Sequence, residues 1–209
     1  MITGSREERG CSSLTRDGAA RLRGKRLLVA GPIAVAAAWV VIGVSWAINP
    51  WFSFLEHAFS DLGSREASSP WVYNYGLIAT GLLACLYALG LYLVGETKAE
   101  GFASALLLVA GVFLALIGVF PSGTRPHVFV STWFFVQMGI GLIALGTAMR
   151  ARGLPHGLFV STVSLLGFII YGAVEALVGW PSVAAGEAFG IIVIDVAVLA
   201  SFLAYYRAL

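Results

Sequence analysis

The stretch Leu27–Ile48, LLVAGPIAVAAAWVVIGVSWAI, runs for 22 residues without a charged side chain. At 1.5 Å per residue, a helix of that length reaches about 33 Å, enough to cross the hydrocarbon core of a bilayer. Five more windows share this character: Val72–Val94, Phe102–Phe120, Val128–Met149, Leu158–Gly179 and Glu187–Tyr206. None contains Lys, Arg or His, and only Glu175, Glu187 and Asp195 bring a carboxylate into them. A bilayer core leaves the backbone of an open strand unpaired, so all six windows are expected to be helices. The fold class that follows is all-α: a single bundle of six transmembrane helices in residues 27–209, behind a basic tail of residues 1–26. Composition agrees. The chain is 59% apolar and only 11% charged, where soluble domains carry about a quarter charged residues, and so much apolar content excludes a disordered chain.

Charge placement gives the expected orientation. Arg6, Arg9, Arg16, Arg21, Arg23, Lys25, Arg26, Lys98, Arg150, Arg152 and Arg207 fall on one side of the spans, and only Arg65 and Arg125 on the other. The excess marks a cytoplasmic side that holds both termini. Trp46, Trp51, Trp71, Trp133 and Trp180 fall near the opposite ends of the spans, as an interfacial belt would. The three outward spans end at Asn49-Pro50, Phe120-Pro121 and Trp180-Pro181, where proline cannot continue a helix. The first span is longer than a signal-peptide core and reads as an uncleaved anchor. The lipid bilayer is the expected partner, with anionic headgroups at the basic tail; that tail lacks aromatics and is interleaved with Glu7, Glu8 and Asp17, which excludes nucleic acid. Cys11 and Cys85 lie at different levels, so no disulfide is expected. Small residues four apart, Gly81/Cys85, Gly111/Ala115 and Gly172/Ala176, are expected at helix–helix contacts.

One connection is long. Between Asn49 and Trp71, the residues Phe52, Leu55, Phe59 and Leu62 follow a three-four spacing that Gly63 ends, and the opposite face carries Ser53, His57, Ser60 and Asp61. This predicts an amphipathic helix of one and a half to three turns. It either lies in the interface with its apolar face in lipid, or turns its polar face over the bundle mouth.

The string Phe59-Ser60-Asp61-Leu62-Gly63, followed by Asn74 at the start of the next helix, resembles a prokaryotic membrane family. A second element of that family, Gly-x-Phe-Pro with a nearby His, is matched by Gly118-Val119-Phe120-Pro121 and His127. The family is known only as domain of unknown function 998. The resemblance covers roughly residues 27–206 and implies a six-helix protein of a prokaryotic cell membrane with no established activity. Where some members carry paired histidines, this chain has Pro126-His127.

The candidate site comes from polar residues where they are costly. Asp195 sits eight residues into the last window, where a carboxylate costs about 2.5–3.5 kcal/mol, so it should face the bundle and have a partner. Glu187 starts a helix, where the dipole favours an acid, and reads as structural. Ser60, Asp61, Asn74, His127 and Asp195 form the principal candidate cluster in the outer half, with His57, Arg125 and Glu175 as secondary members. Three arrangements are open. Arg125 or His127 pairs with Asp195 or Glu175 while Ser60 and Asn74 bond loop backbone; or His57, Asp61, His127 and a helix carboxylate hold zinc for lipid hydrolysis; or Asp195 and Glu175 relay a proton or cation in transport. The first needs no cofactor, and none is expected outside the zinc arrangement. The ligand of an outward-facing site would be lipid-like or a small polar molecule. Nucleotide, dinucleotide and nucleophile-elbow motifs are absent.

Overall fold

A computed structural model describes residues 18–209. Most of the tail, with Arg6, Arg9, Cys11 and Arg16, lies outside the described residues. Six helices follow: α1 Gly18–Ala47, α2 Pro70–Val94, α3 Lys98–Val119, α4 His127–Ala151, α5 Gly157–Leu177 and α6 Val183–Ala208. Each is long and apolar enough to cross a membrane, with mean hydropathy of 1.9 or more. The protein is a multi-pass membrane protein built as an all-α bundle.

The helix boundaries depart from the apolar windows for local reasons. Arg21, Arg23, Lys25 and Arg26 are good helix formers that hydropathy does not register, so α1 starts ahead of its window. Its one interruption is at Val29. Pro32 lacks an N–H for the Leu28 carbonyl, and its ring crowds that carbonyl. At the start of α6, Ser182 Oγ accepts from the Ala185 N–H at 3.0 Å, capping the helix four residues before its apolar window.

Successive helices pack as neighbours, and α1 meets α6 along a thinner seam that closes the ring. The backbones of α2 and α3 pack closely. A Cβ at Gly81 would lie 2.5 Å from the Ala115 nitrogen, and one at Gly111 2.9 Å from the Cys85 nitrogen. Backbones approach this closely because, in lipid, packing replaces the hydrophobic effect as the force between helices. The third expected pair differs: a Cβ at Gly172 would meet nothing within 4 Å. Its spacing matches a packing motif, but the residue faces open space. Mid-bundle, the Tyr87 hydroxyl lies 2.8 Å from Ser201 Oγ and ties α2 to α6.

The end that carries the described termini holds a buried ionic knot. Glu100 is 0% exposed. Its Oε2 accepts from the Glu96 N–H, the Thr97 N–H and the Thr97 hydroxyl, each at 2.9 Å. Its Oε1 accepts from Arg152 Nη1 at 2.9 Å and the Tyr205 hydroxyl at 2.7 Å. Arg152 also reaches Glu96 at 2.6 Å, and Arg21 bonds the same carboxylate. Burial alone would lower the Arg152 pKa, but the Glu100 hydrogen bond and the charges of Glu100 and Glu96 hold it above its ordinary value. The knot binds α3, the α4–α5 connection and α6 together.

At the other end lies the long loop. Asn49 is fully buried and anchors both ends of it. Its Nδ2 donates to the carbonyls of Ser45 (2.8 Å) and Ser68 (3.2 Å), while Oδ1 accepts from the Ser68 N–H (2.6 Å) and Trp51 Nε1 (2.9 Å). All four bonding positions of the amide are used. The helical part of the loop is the five-residue 3-10 turn Phe59–Gly63, at the short end of what the spacing predicts. Its apolar residues are not in lipid. Phe52, Phe59 and Leu62 are buried, and Phe59 stacks on Phe52 and meets Trp39 edge-on, so the loop plugs the bundle mouth; of the four residues in that spacing only Leu55 is exposed.

Candidate functional site

The plug is stitched to the first turns of α6. Ser182 Oγ donates to the Phe54 carbonyl at 2.6 Å, the Ala184 N–H to the His57 carbonyl at 3.0 Å, and the Phe59 N–H to Glu187 Oε2 at 2.7 Å. Asp61 fixes the 3-10 turn from within. Its Oδ2 accepts from the Ala58 N–H and its Oδ1 from the Ser122 hydroxyl, both at 2.9 Å, so one carboxylate joins this loop to the α3–α4 connection.

The two sequence motifs interlock. Asn74 Nδ2 donates to the Gly63 carbonyl at 2.9 Å. A Cβ at Gly63 would lie 2.2 Å from Asn74 Oδ1, and a Cβ at Gly118 2.2 Å from the Asn74 carbonyl oxygen. Both glycines are therefore required by close approach, and Asn74 is a brace between them. The Phe120 carbonyl lies 2.8 Å from His127 Nδ1. A carbonyl can only accept, so Nδ1 carries a proton, and in the neutral tautomer this leaves Nε2 as an acceptor. Ser131, one turn along α4, has its Oγ 3.4 Å from Nε2 and donates to the His127 carbonyl at 2.8 Å.

Two half-enclosed cavities meet under the plug. The smaller, about 100 Å³, lies inside the bundle; Ser60, Ser131, Glu187 and Asp195 interrupt an otherwise mostly apolar wall. The larger, about 600 Å³, is a cleft between α4, α5 and α6. That volume falls within the roughly 300–1,000 Å³ usual for small-molecule sites. Most of its polar groups gather toward the plug end, Ser60, Asp61, Ser122, His127, Ser131, Thr132, Tyr171 and Glu187, while Ser164 lies deeper with its hydroxyl bonded to the Val160 carbonyl. Beyond them the walls become largely apolar, through Phe135 and Gly139 to Leu142 on α4 and past Phe168, Phe189 and Val193 on the facing helices. Val128, Gly172 and Val183 on the rim are exposed on the outside of the bundle, so the cleft has a lateral mouth.

The sequence-predicted residues divide accordingly. Ser60, Asp61 and His127 line the cleft, Ser60 lines both cavities, and Asp195 lines the inner cavity alone. Asp195 finds its partner in Trp39, whose Nε1 donates at 2.7 Å across the α1–α6 seam. Asn74 lines neither cavity. His57 accepts from the Ser53 N–H at 3.0 Å and packs on Trp51 and Phe52, away from both. Arg125 and Glu175 are exposed, and among the described residues Arg125 forms no ion pair with Asp195 or Glu175. The donor set of His57, Asp61, His127 and a helix carboxylate does not assemble: among the described residues no three His, Cys, Asp or Glu side chains are grouped as metal ligands. His57 is turned into an aromatic pocket and Asp61 is engaged at both oxygens, which is why sharing a helical face on paper does not bring them together.

Glu187 and Ser131 were not foreseen as members of the site. Glu187 looks like an ordinary helix-start acid, but it lies at the junction of the cavities, two turns before Asp195 on the same face. Ser131 could have been found from its four-residue spacing to His127.

The sequence pattern of the family described as protein of unknown function (DUF998) matches residues 32–204. The chain belongs to that family. The two strings on which the resemblance rests meet in the fold at Gly63, Asn74 and Gly118. No curated protein and no solved structure matches the chain.

Proposed function

We propose that the cleft between α4, α5 and α6 binds a lipid-like amphiphile that enters from the side. The observation that carries this is the division of the cleft: most of its polar groups lie at the plug end and largely apolar walls lie beyond. From His127 to Leu142 the α4 wall runs about 22 Å at 1.5 Å per residue. One leaflet, headgroups included, is about 20–22 Å deep. A headgroup at the plug and a chain along α4 would fill that length. The exposed rim at Val128, Gly172 and Val183 supplies a path from the bilayer. In this reading Asp61, Asn74 and Asn49 hold the plug in place, while Ser60, His127, Ser131 and Glu187 face the head.

The test uses Gly172→Phe, because a side chain there meets no neighbour and projects beside the cleft. The protein would be reconstituted with a lipid carrying a photoactivatable chain, and labelling mapped by mass spectrometry. Labelling of α4 and α5 residues along the cleft, lost in Gly172→Phe, is expected. Equal labelling of the variant, or labelling spread over the outside of the bundle, would refute the proposal.

The end bearing Lys25, Lys98, Arg150, Arg152 and Arg207 we read as the cytoplasmic face, with the basic tail on anionic headgroups. Single cysteines placed at Lys98 and Arg125 in a Cys-free background should then be labelled by an impermeant maleimide from opposite sides. Labelling from the same side would refute this orientation.

A further inference from the structure

We infer that the head of the bound amphiphile is a protonated amine and not an anionic phosphate. The inference rests on the cleft reading above and assigns the chemistry of its polar end.

Three of the groups left free at that end can accept a hydrogen bond. Ser60 is only 7% exposed, lines both cavities, and among the described residues its hydroxyl has no hydrogen-bond partner. That hydroxyl, on the wall of both cavities, can accept a hydrogen bond from a ligand as well as donate one. His127, 8% exposed, donates from Nδ1 to the Phe120 carbonyl, and in the neutral ring that leaves Nε2 as a lone pair. The nearest hydroxyl, Ser131, sends its proton to the His127 carbonyl instead. Glu187 has one oxygen on the Phe59 N–H, and the other has no partner among the described residues. A carboxylate oxygen, an imidazole lone pair and a hydroxyl oxygen thus face the same space.

Charge points the same way. Among the described residues, Asp61 and Glu187 are the only carboxylates lining the cleft, Asp195 is added in the adjoining cavity, and no Lys or Arg lines either one. The two basic residues at this end of the bundle, Arg65 and Arg125, are exposed. A phosphate brings further negative charge and acceptor oxygens, and the forks and ammonium groups that recognise it are missing. An ammonium head brings three donors and the opposite charge, matching three acceptors. A neutral hydroxyl head would satisfy one or two acceptors and leave the carboxylates without a counter-charge.

The experiment titrates full-length protein in neutral detergent with hexadecylamine, hexadecanol and hexadecyl phosphate, and reads bound stoichiometry by native mass spectrometry. Gly172→Phe serves as the blocked control. The variant Glu187→Gln removes charge while its amide oxygen still accepts from the Phe59 N–H, so the plug stays seated. Hexadecylamine is expected to bind at least about tenfold more tightly than hexadecyl phosphate, with hexadecanol between them, and Glu187→Gln should shrink that preference. Phosphate binding as tightly as the amine would overturn the assignment, and so would an amine preference unchanged by Glu187→Gln. If none of the three binds in a manner sensitive to Gly172→Phe, the cleft reading itself fails, and the head assignment with it.

Discussion

Replacing Arg152 by Met should be among the most destabilising single changes in the chain. The side chain is removed from Glu100, which is 0% exposed, and from Glu96, which is half exposed. Breaking a buried ion pair by deleting one partner costs about 3–5 kcal/mol, since the remaining charge has lost its compensation. Glu100 keeps four other donors: the Tyr205 hydroxyl, the Thr97 hydroxyl and the N–H groups of Glu96 and Thr97. The expected loss is therefore at the lower end, about 3 kcal/mol. Reversible unfolding of the protein in mixed micelles, followed by tryptophan fluorescence, measures it. The double variant Arg152→Met/Glu100→Gln removes the stranded charge and should recover at least half of the loss, a coupling that only a direct interaction produces. A cost below about 1 kcal/mol for Arg152→Met, or strict additivity with Glu100→Gln, would refute the knot as described. Arg125→Met, at an exposed residue with no ion pair, should stay within about 0.5 kcal/mol of the parent.

Gly118→Ala should cost about 1–3 kcal/mol by forcing Cβ against the Asn74 carbonyl, whereas Gly172→Ala should be neutral or gain up to about 1 kcal/mol from helix propensity; comparative thermal unfolding separates them. Tyr87→Phe removes the interhelical contacts of its hydroxyl with Ser201 and the Val198 carbonyl and should cost about 0.6–1.7 kcal/mol, read in the same unfolding assay. Trp39→Phe leaves Asp195 without its donor across the α1–α6 seam and should cost about 1–3 kcal/mol; hydrogen exchange should rise in α1 and α6 and leave α3 unchanged.

The helices were legible because the bilayer imposes a length and a composition that few other environments require. The plug was legible in part. Its apolar spacing placed Phe52, Phe59 and Leu62 on one face, but spacing cannot distinguish burial in lipid from burial in protein. Ser60, Asp61 and His127 stood out as polar groups in an apolar chain, and so did Asn74, which turned out to brace two glycines. Residue type alone does not separate a group facing a cavity from one filling a contact. Glu187 was hidden by its position, since acids at helix starts are common for electrostatic reasons. Gly172 was misplaced because small residues four apart mark a cleft rim as readily as a packed interface. The knot was invisible, because its partners lie 52 and 105 residues from Glu100 and no local pattern joins them.

The stitching of the plug to α6 has a consequence for biogenesis. Phe54 and Phe59 bond Ser182 and Glu187, each across 128 residues of chain. At about 5–20 residues per second, the ribosome needs roughly 6–26 s to make that interval. Throughout it, the first loop has been synthesised but has no seat, and the cleft has no floor for its polar end. The site is completed only when the last helix is in place, so a chain stalled or cut before α6 would present an open, unsealed bundle to the quality-control machinery of its membrane.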